Sequence, residues 1–371
     1  MGKFIALGTA VVALAIAAAS ASAGNPNTLT LAVYGDAPYG TSNADTSEFL
    51  ATPAFITSIN NDASVQEIIH VGDIHSGSQK CTVAYDQSVY NLWTAYNDPV
   101  VYTPGDNEWS DCTKPKELPG SDFAADPQMP LTQLGQIRSI FFAHPGQTLG
   151  QNPMDVTSQA NAFDPAHPAD AQFVENVMWE QSKTVFVTVN IPGGSNNDID
   201  PWFSQATPNP AQPLEMAART AADVRWLDAA FAKAEADNAH SVVIVGQADM
   251  WDTSDARAHQ TNYEPIIAAM ASNSQTYGKP VLYLNGDSHV YRSDDPLEQG
   301  STCYTESGAC SADGWNQHPY YDVPNFHRIV VHGSTFRLEW LKLTIDPRSA
   351  WENAPTPTSW GPFSWERQIQ N

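Results

Sequence analysis

The stretch VYGDAPYG, residues 33–40, ends a run of β-forming residues on a glycine and an aspartate, and comparable punctuation recurs along the chain. The other places are HVGDIHSG (70–77), YTPGDNEW (102–109), TVNIPGG (188–194), IVGQADMW (244–251) and LNGDSHVYR (284–292). In each, a polar, metal-capable residue follows the apolar run within a position or two: Asp36, Asp73, Asp106, Asn190, Gln247 and Asp287. Such positions lie at the carboxyl edge of a sheet, where α/β folds gather ligand groups on short loops. Asp36, Asp73, Asp106 and Asp287 each follow glycine directly, which lets the backbone turn sharply and aim a carboxylate inward. One Gly-Asp pair is only a turn. Four of them at strand exits predict a shared polynuclear metal site.

Between these exits the pattern alternates. Strands are predicted at 29–34, 67–71, 100–103, 184–190, 241–245, 280–284, 327–332 and 337–345, each short, β-branched or aromatic and bounded by turn residues. Helices are predicted near 46–60, 83–96, 131–142, 169–180, 213–236 and 262–273. The 213–236 segment opens on Pro213 and carries Leu214, Ala217, Ala218, Ala221, Val224, Leu227 and Phe231 at helical spacing. Alternating strands and helices predict an α/β fold with much parallel sheet. The last two strand runs have no helix between them and are expected to form an antiparallel finish. Stretches 111–130, 144–167 and 193–212 are too long for plain connectors and are expected to shape the mouth of the site.

The chain begins with a charged Lys3, an apolar run from Phe4 to Ala19 and a small-residue pattern at Ala21, Ser22 and Ala23. That order predicts an export signal over 1–23 and a mature domain over 24–371, hence a secreted or periplasmic protein without a transmembrane span. The formal net charge is −24, and no block of Lys or Arg stands against it. A free-standing nucleic-acid binder needs a basic footprint, so that class is excluded. An anionic substrate would need metal ions to offset the protein's own field. Export makes disulfides expected for the four cysteines. Three pairings exist, of which Cys303 with Cys310 across a short loop is the simplest, leaving Cys81 with Cys112. No Cys-x-x-Cys spacing supports a zinc thiolate site.

With these residues in place, the chain resembles the calcineurin-like metallophosphoesterases, the superfamily that includes purple acid phosphatases and many phosphodiesterases. The likeness rests on Asp36-Ala37-Pro38, Gly72-Asp73, Gly105-Asp106-Asn107-Glu108, Gln247 and Gly286-Asp287-Ser288-His289, and it covers nearly the whole mature chain. The strings GDAPYG, YTPGDNEWSDC, FVENVMW, GSNND, GQADMW and GDSHVYR are similar to an exported bacterial subgroup. The resemblance implies an α/β/β/α sandwich, in which two packed mixed sheets are flanked by helices. It also implies a metal-dependent hydrolase of phosphate monoesters or diesters that uses a metal-bound water as nucleophile. Asp73 would bridge two divalent metals; Asp36 and His289 would hold the first, and Asp106, Gln247 and Asp287 the second.

Several positions depart from that family's pattern. Pro38 replaces a histidine, so the first ion is expected to draw on Tyr39, His75 or solvent. Asn107 stands where the family has its protonating histidine, and an amide is no general acid. His75 is the replacement candidate, its bland alternative being a surface-loop histidine. A set of four carboxylates, an amide and an imidazole favours Mg²⁺, Mn²⁺ or Ca²⁺ over Zn²⁺, with Fe admitted if Tyr39 coordinates. Arg292 is a candidate for gripping a small phosphorylated substrate, or else a structural partner of Asp294 or Asp295. Asn196 and Asn197 are candidate donors to the substrate, His70 reads as a core residue, and Glu108 as an orienting one.

Two other readings compete. Gly286-Asp287-Ser288 resembles the block of the Gly-Asp-Ser esterases with Ser288 as nucleophile, but that block belongs on a first strand. A non-catalytic exported protein that keeps the fold and binds a glycan, peptide or partner is the other. Trp109, Trp202, Tyr320 and Tyr321 would suit stacking, though aromatic residues are more often core.

Overall fold

The computed structural model describes residues 28–39, 45–114, 125–197, 201–311, 313–335, 337–349 and 355–370. The expected export signal at 1–23 lies outside them. In chain order the strands are β1 (Leu29–Tyr34), β2 (Glu67–His70), β3 (Val100–Tyr102), β4 (Thr157–Ser158) and β5 (Val177–Gln181). They continue as β6 (Thr184–Thr188), β7 (Ser241–Val245), β8 (Val281–Asn285), β9 (Arg292–Asp294) and β10 (Cys303–Thr305). The last are β11 (Gly308–Cys310), β12 (Phe326–Val330), β13 (Glu339–Ile345), β14 (Ser359–Trp360) and β15 (Phe363–Ile369).

They form two mixed sheets: a six-stranded one in the order β14-β15-β13-β1-β2-β3, and a nine-stranded one in the order β11-β10-β9-β12-β8-β7-β6-β5-β4. Each sheet has a parallel part: β1-β2-β3, which runs to the edge of the six-stranded sheet beyond antiparallel β13, and β6-β7-β8-β12, which is flanked on both sides by antiparallel strands in the nine-stranded one. Side chains alternate across a strand, and that period sorts the core into layers. Leu31, Val33 and Ile69 of the first sheet meet Phe186, Val243, Leu282 and Ile329 of the second between the sheets. Ala32, Tyr34 and Ile68 on the outer face of the first sheet pack on Phe55, Val89 and Ile137. Those three belong to helices Asp45–Asn60, Val83–Trp93 and Met129–Phe141. On the other outer face, Val242, Ile244 and Tyr283 pack on Trp226, Leu227, Ile267 and Met270. These come from helices Ala211–Ala236 and Glu264–Tyr277. The architecture is thus α/β, two mixed sheets flanked by helices.

Two expectations are corrected. The segment 169–180 is no helix: a 3₁₀ turn at Pro168–Gln172 is followed by β5. Its Met178, Trp179, Glu180 and Gln181 pair with β6, and Trp179 stacks on Phe186 at 4.9 Å. The expected antiparallel finish also fails. Strand β12 lies parallel to β8 in the nine-stranded sheet, whereas β13 crosses to the other sheet and lies antiparallel to β1. Its remaining partner is β15, a strand the sequence did not announce. Among the described residues no helix is long and apolar enough to cross a membrane.

Glu67 is an ionisable group in the layer between the sheets. Glu67 shares the face of Ile69, is fully buried, and neither carboxyl oxygen meets a hydrogen-bond donor at normal geometry. Burial pushes its pKa from 4.5 up to about 8. The fold therefore favours protonated Glu67. Its contribution to stability is complete below 4.5 and is lost as pH rises towards about 8. Glu67→Gln should flatten the fall of the melting temperature across that window relative to wild type. Parallel pH profiles for the two proteins would contradict this.

Candidate metal centre

Five of the parallel strands deliver polar side chains to the same place. Asp36 follows β1, Asp73 follows β2, Asp106 follows β3, Gln247 follows β7 and Asp287 follows β8. The structure brings them together into two overlapping groups, Asp36 with Asp73 and His289, and Asp73 with Asp106 and Asp287. Within each group the candidate ligand atoms lie within 4.8 Å of one another. Asp73 belongs to both.

Glycines make the convergence possible. A Cβ on Gly105 would fall 2.0 Å from Asp73 Oδ1, and one on Gly286 2.4 Å from Asp36 Oδ2. One on Gly193 would fall 2.5 Å from Asp287 Oδ1, and one on Gly333 2.3 Å from the Asp36 Cβ. The backbone is bent to match: Asp36, Asp73, Asp287 and His289 hold φ of 49°, 59°, 76° and 61°, the left-handed region that L-residues with side chains seldom occupy. Strain of this kind collects at functional sites when the surroundings enforce it.

Hydrogen bonds then fix each carboxylate. The Asn107 amide donates to Asp73 Oδ2 at 3.0 Å and its backbone N–H donates to Oδ1 at 3.2 Å. Glu108 Oε1 accepts from the backbone of Asp73 and Gly105 and from the Tyr102 hydroxyl, tying the β2 exit to the β3 exit. The Asp287 N–H donates to Asp36 Oδ1 at 3.0 Å, and the Asp249 N–H to Asp287 Oδ2 at 2.9 Å. Asp249 is in turn gripped by the fully buried Arg328, whose guanidinium also forks onto both oxygens of Asp294 at 2.8 Å. The Cys81–Cys112 bridge lies against the Asn107 carbonyl and joins the loops after β2 and β3; Cys303 pairs with Cys310 across the β10–β11 hairpin.

The expected residues divide clearly. His289 is 40% exposed, with Nε2 3.5 Å from Asp36 Oδ1 and 3.1 Å from the Tyr39 hydroxyl, so Tyr39 reaches the first group through it. Gln247 stands inside the cluster, but its amide nitrogen donates to Asp73 at 3.0 Å and to Asp106 at 2.9 Å while its oxygen accepts from Gly193. It braces two carboxylates rather than offering an oxygen. His75 is not the surface-loop residue of the bland alternative: it is fully buried, with Nε2 2.6 Å from Asp86. His70 is buried between Tyr34, Trp93 and Tyr102, and burial pushes its pKa down to about 3.

The three substrate candidates are occupied elsewhere. Arg292 Nε pairs with Asp294 at 2.6 Å. Asn196 is bonded to Arg219, Thr220 and Asn262, and Asn197 to Glu215 and Trp202. Asn190 likewise turns its amide to Glu175, and it is Gly193 from that exit that meets the cluster. Unforeseen contributors are Gly333 after β12, Asp249, Arg328, and the pair Asp111 and Lys114. Their residue types carry no motif; Gly333 alone, in a Gly-Ser turn after a strand, repeated a legible signal.

Electrostatically the cluster is self-repelling. Burial raises the pKa of Asp36, Asp73 and Asp287 well above the carboxylate range, and neighbouring carboxylates raise it further. Asp106 is pushed up to about 7 by burial and then by Asp111, against the pull of Lys114. Asp36 Oδ2 is buried and accepts no hydrogen bond. A lone-pair-rich oxygen without a donor, in a space that glycines keep clear, is the donor set a hard cation requires. The residues present therefore fit a divalent ion.

Neither a family model nor a curated protein matches the chain. Among solved structures it is similar to purple acid phosphatase PPD1 from yellow lupin (Lupinus luteus) seeds, with 11% identity, a TM-score of 0.47, and cover of 93% of this chain and 52% of that one. The chain thus spans about half the length of the lupin protein. It is also similar to a dimetal phosphatase from Danio rerio, with 10% identity, a TM-score of 0.46, and cover of 94% of this chain and 100% of that one.

Removing Arg328 would leave Asp249 buried without its guanidinium partner, and Asp294 with Arg292 alone. Arg328→Met should cost about 3–5 kcal/mol in denaturant unfolding. A loss below about 1 kcal/mol would show that the network does not brace the Asp287 side.

Proposed function

We propose that the protein is a metal-dependent phosphoesterase of an oxidising compartment, working at the centre formed by Asp36, Asp73, Asp106, Asp287 and His289. One observation carries the reading: two groups of possible ligands overlap at a single carboxylate, Asp73, which is the arrangement a pair of cations needs. Asp36 and His289 would hold one cation with Asp73, and Asp106 and Asp287 the other. Two divalent cations so held supply Lewis acidity towards a phosphoryl oxygen and bring the pKa of water towards neutrality.

The chain's own residues orient that chemistry. Asn107 fixes both Asp73 oxygens, so the shared carboxylate cannot swing to one side. Gln247 keeps Asp73 and Asp106 side by side, which their charges alone would oppose. His289 is the partly exposed imidazole of the cluster and opens it to solvent on that side. His75 is bound to Asp86 in the interior, which removes it as the group that would protonate a leaving group. Good leaving groups should therefore react fastest. The oxygen-rich set favours Mg²⁺, Mn²⁺ or Ca²⁺ over Zn²⁺. The two disulfides fit a secreted or periplasmic setting.

Protein purified without chelator should carry these hard cations. It should hydrolyse 4-nitrophenyl phosphate in a screen of Mg²⁺, Mn²⁺, Ca²⁺, Fe and Zn²⁺, and lose activity on chelation. Stoichiometric zinc would contradict the metal assignment. Binding of cations with no hydrolysis of any monoester or diester would favour the non-catalytic reading. Asn107→Ala should weaken metal binding by about 10–100-fold, read by calorimetry, because it frees the shared carboxylate.

A further inference from the structure

A cavity of about 150 Å³ opens beside Asp106, between the loop that follows β3 and the turn at 193–197. Its lining includes Ser110, Thr113, Lys114, Asn197, Trp202 and Ser204. Gly194 forms the wall on the side of the carboxylates. A Cβ there would lie 3.8 Å from Asp106 Oδ2 and 4.0 Å from Asp111 Oδ1, so the missing side chain leaves the cavity and the cluster in direct contact. The volume is well below the roughly 300–1,000 Å³ of pockets for drug-sized ligands. Hydroxyls, an amide and one indole suit a small, polar guest.

Lys114 is the informative residue. Its side chain is 49% exposed and paired with Asp111, and its ammonium also lies in the field of Asp106 and Asp73. Nearby arginines are committed: Arg219 to Glu215, Asn190 and Asn196, and Arg328 to Asp249 and Asp294, both without exposure. A chain of net charge −24 repels anions, and a monoester phosphoryl group carries nearly two charges near neutral pH. Its approach is eased most by a mobile cation at the entrance. An ammonium on a flexible stem can exchange one carboxylate for a phosphoryl oxygen at little cost.

Resting on the phosphoesterase reading above, we propose that this cavity is the leaving-group subsite for a phosphomonoester of a small polyhydroxylated alcohol, with Lys114 as a substrate-binding residue. Lys114 leaves Asp111 and pairs with a non-bridging phosphoryl oxygen, and the alcohol lies against Ser110, Thr113 and the Trp202 ring. In the hydrolysis, water oxygen forms the new bond to phosphorus and the ester P–O bond breaks. The alcohol keeps that electron pair and takes one proton from the water, giving alcohol and inorganic phosphate.

The test uses the full mature chain loaded with Mn²⁺. Calorimetry with inorganic phosphate should show Lys114→Gln weakened about tenfold to a hundredfold, the scale of one charge-assisted hydrogen bond, with Lys114→Arg restoring most of it. Manganese stoichiometry should not change. For glycerol 2-phosphate, Lys114→Gln should raise KM by a similar factor, whereas a diester should change by less than about threefold. Thr113→Trp, which fills the cavity, should raise KM for glycerol 2-phosphate while leaving phosphate binding intact. Wild-type phosphate affinity in Lys114→Gln, or no phosphate binding by the wild type, would overturn the assignment of Lys114. An unchanged KM in Thr113→Trp would overturn the subsite. If the wild type binds phosphate through Lys114 but cleaves neither ester, the phosphoesterase reading falls while the anion site stands.

Discussion

The constraint on which the rest of the structure depends is the crowding of Asp36, Asp73, Asp106 and Asp287 into one buried space. Like charges this close oppose one another, and burial adds a solvation cost to each. Nothing in the cluster itself favours assembly without a cation. The scaffold must impose it, and parallel strands with their carboxyl ends on one rim are an economical way to do so. Three exits from the six-stranded sheet and four from the nine-stranded sheet deliver backbone to the same place, and the apolar layer between the sheets holds them in register.

The same constraint explains the odd local chemistry. Gly105, Gly193, Gly286 and Gly333 each stand where a side chain would strike a site carboxylate, so their role is clearance as much as turning. Donors are then rationed so that each carboxylate is fixed without being saturated. Asp73 receives Asn107 and Gln247, Asp287 receives the Asp249 N–H, and one oxygen of Asp36 receives none. Behind them, the charge of Arg328 compensates Asp249 and Asp294 at the interior end of the chain of contacts. A rigid acceptor set with one open oxygen suits a cation, which would relieve the mutual repulsion of the carboxylates.

Much of this was legible in the sequence because the signals were local. A strand, a glycine and an acid in succession give both the fold position and the side-chain direction, and the six exits were read from that grammar. What was not legible depended on distant partners. The sequence of β5 reads as helix because the hairpin turn at Ser182 and Lys183 has φ of 50° and 59° without the Asn or Gly that usually marks such a turn. Strand β15 alternates buried Phe363 and Trp365 with exposed Ser364 and Glu366, yet it follows a Pro-rich stretch and carries the charged pair Glu366 and Arg367 at its middle. Asn196 and Asn197 read as free donors until Arg219, Glu215 and Trp202, remote in sequence, claimed them. Lys114 lies only eight residues beyond Asp106, but no spacing rule connects an isolated lysine to a metal site.

The place of Gln247 shows how substitution at the centre changes its electrostatics. An imidazole at that exit would add a neutral ligand nitrogen and leave the carboxylate charges to the cations. The amide instead donates to Asp73 and Asp106 together, so part of the compensation comes from the protein. A cation between those two carboxylates then meets a slightly weaker field, but one made almost wholly of oxygen. On the proposed reading, hardness would be kept while the number of strong ligands falls, and further coordination would come from solvent or substrate oxygens. Ions that bind oxygen and exchange ligands readily gain from that arrangement, and ions that seek nitrogen or sulfur lose.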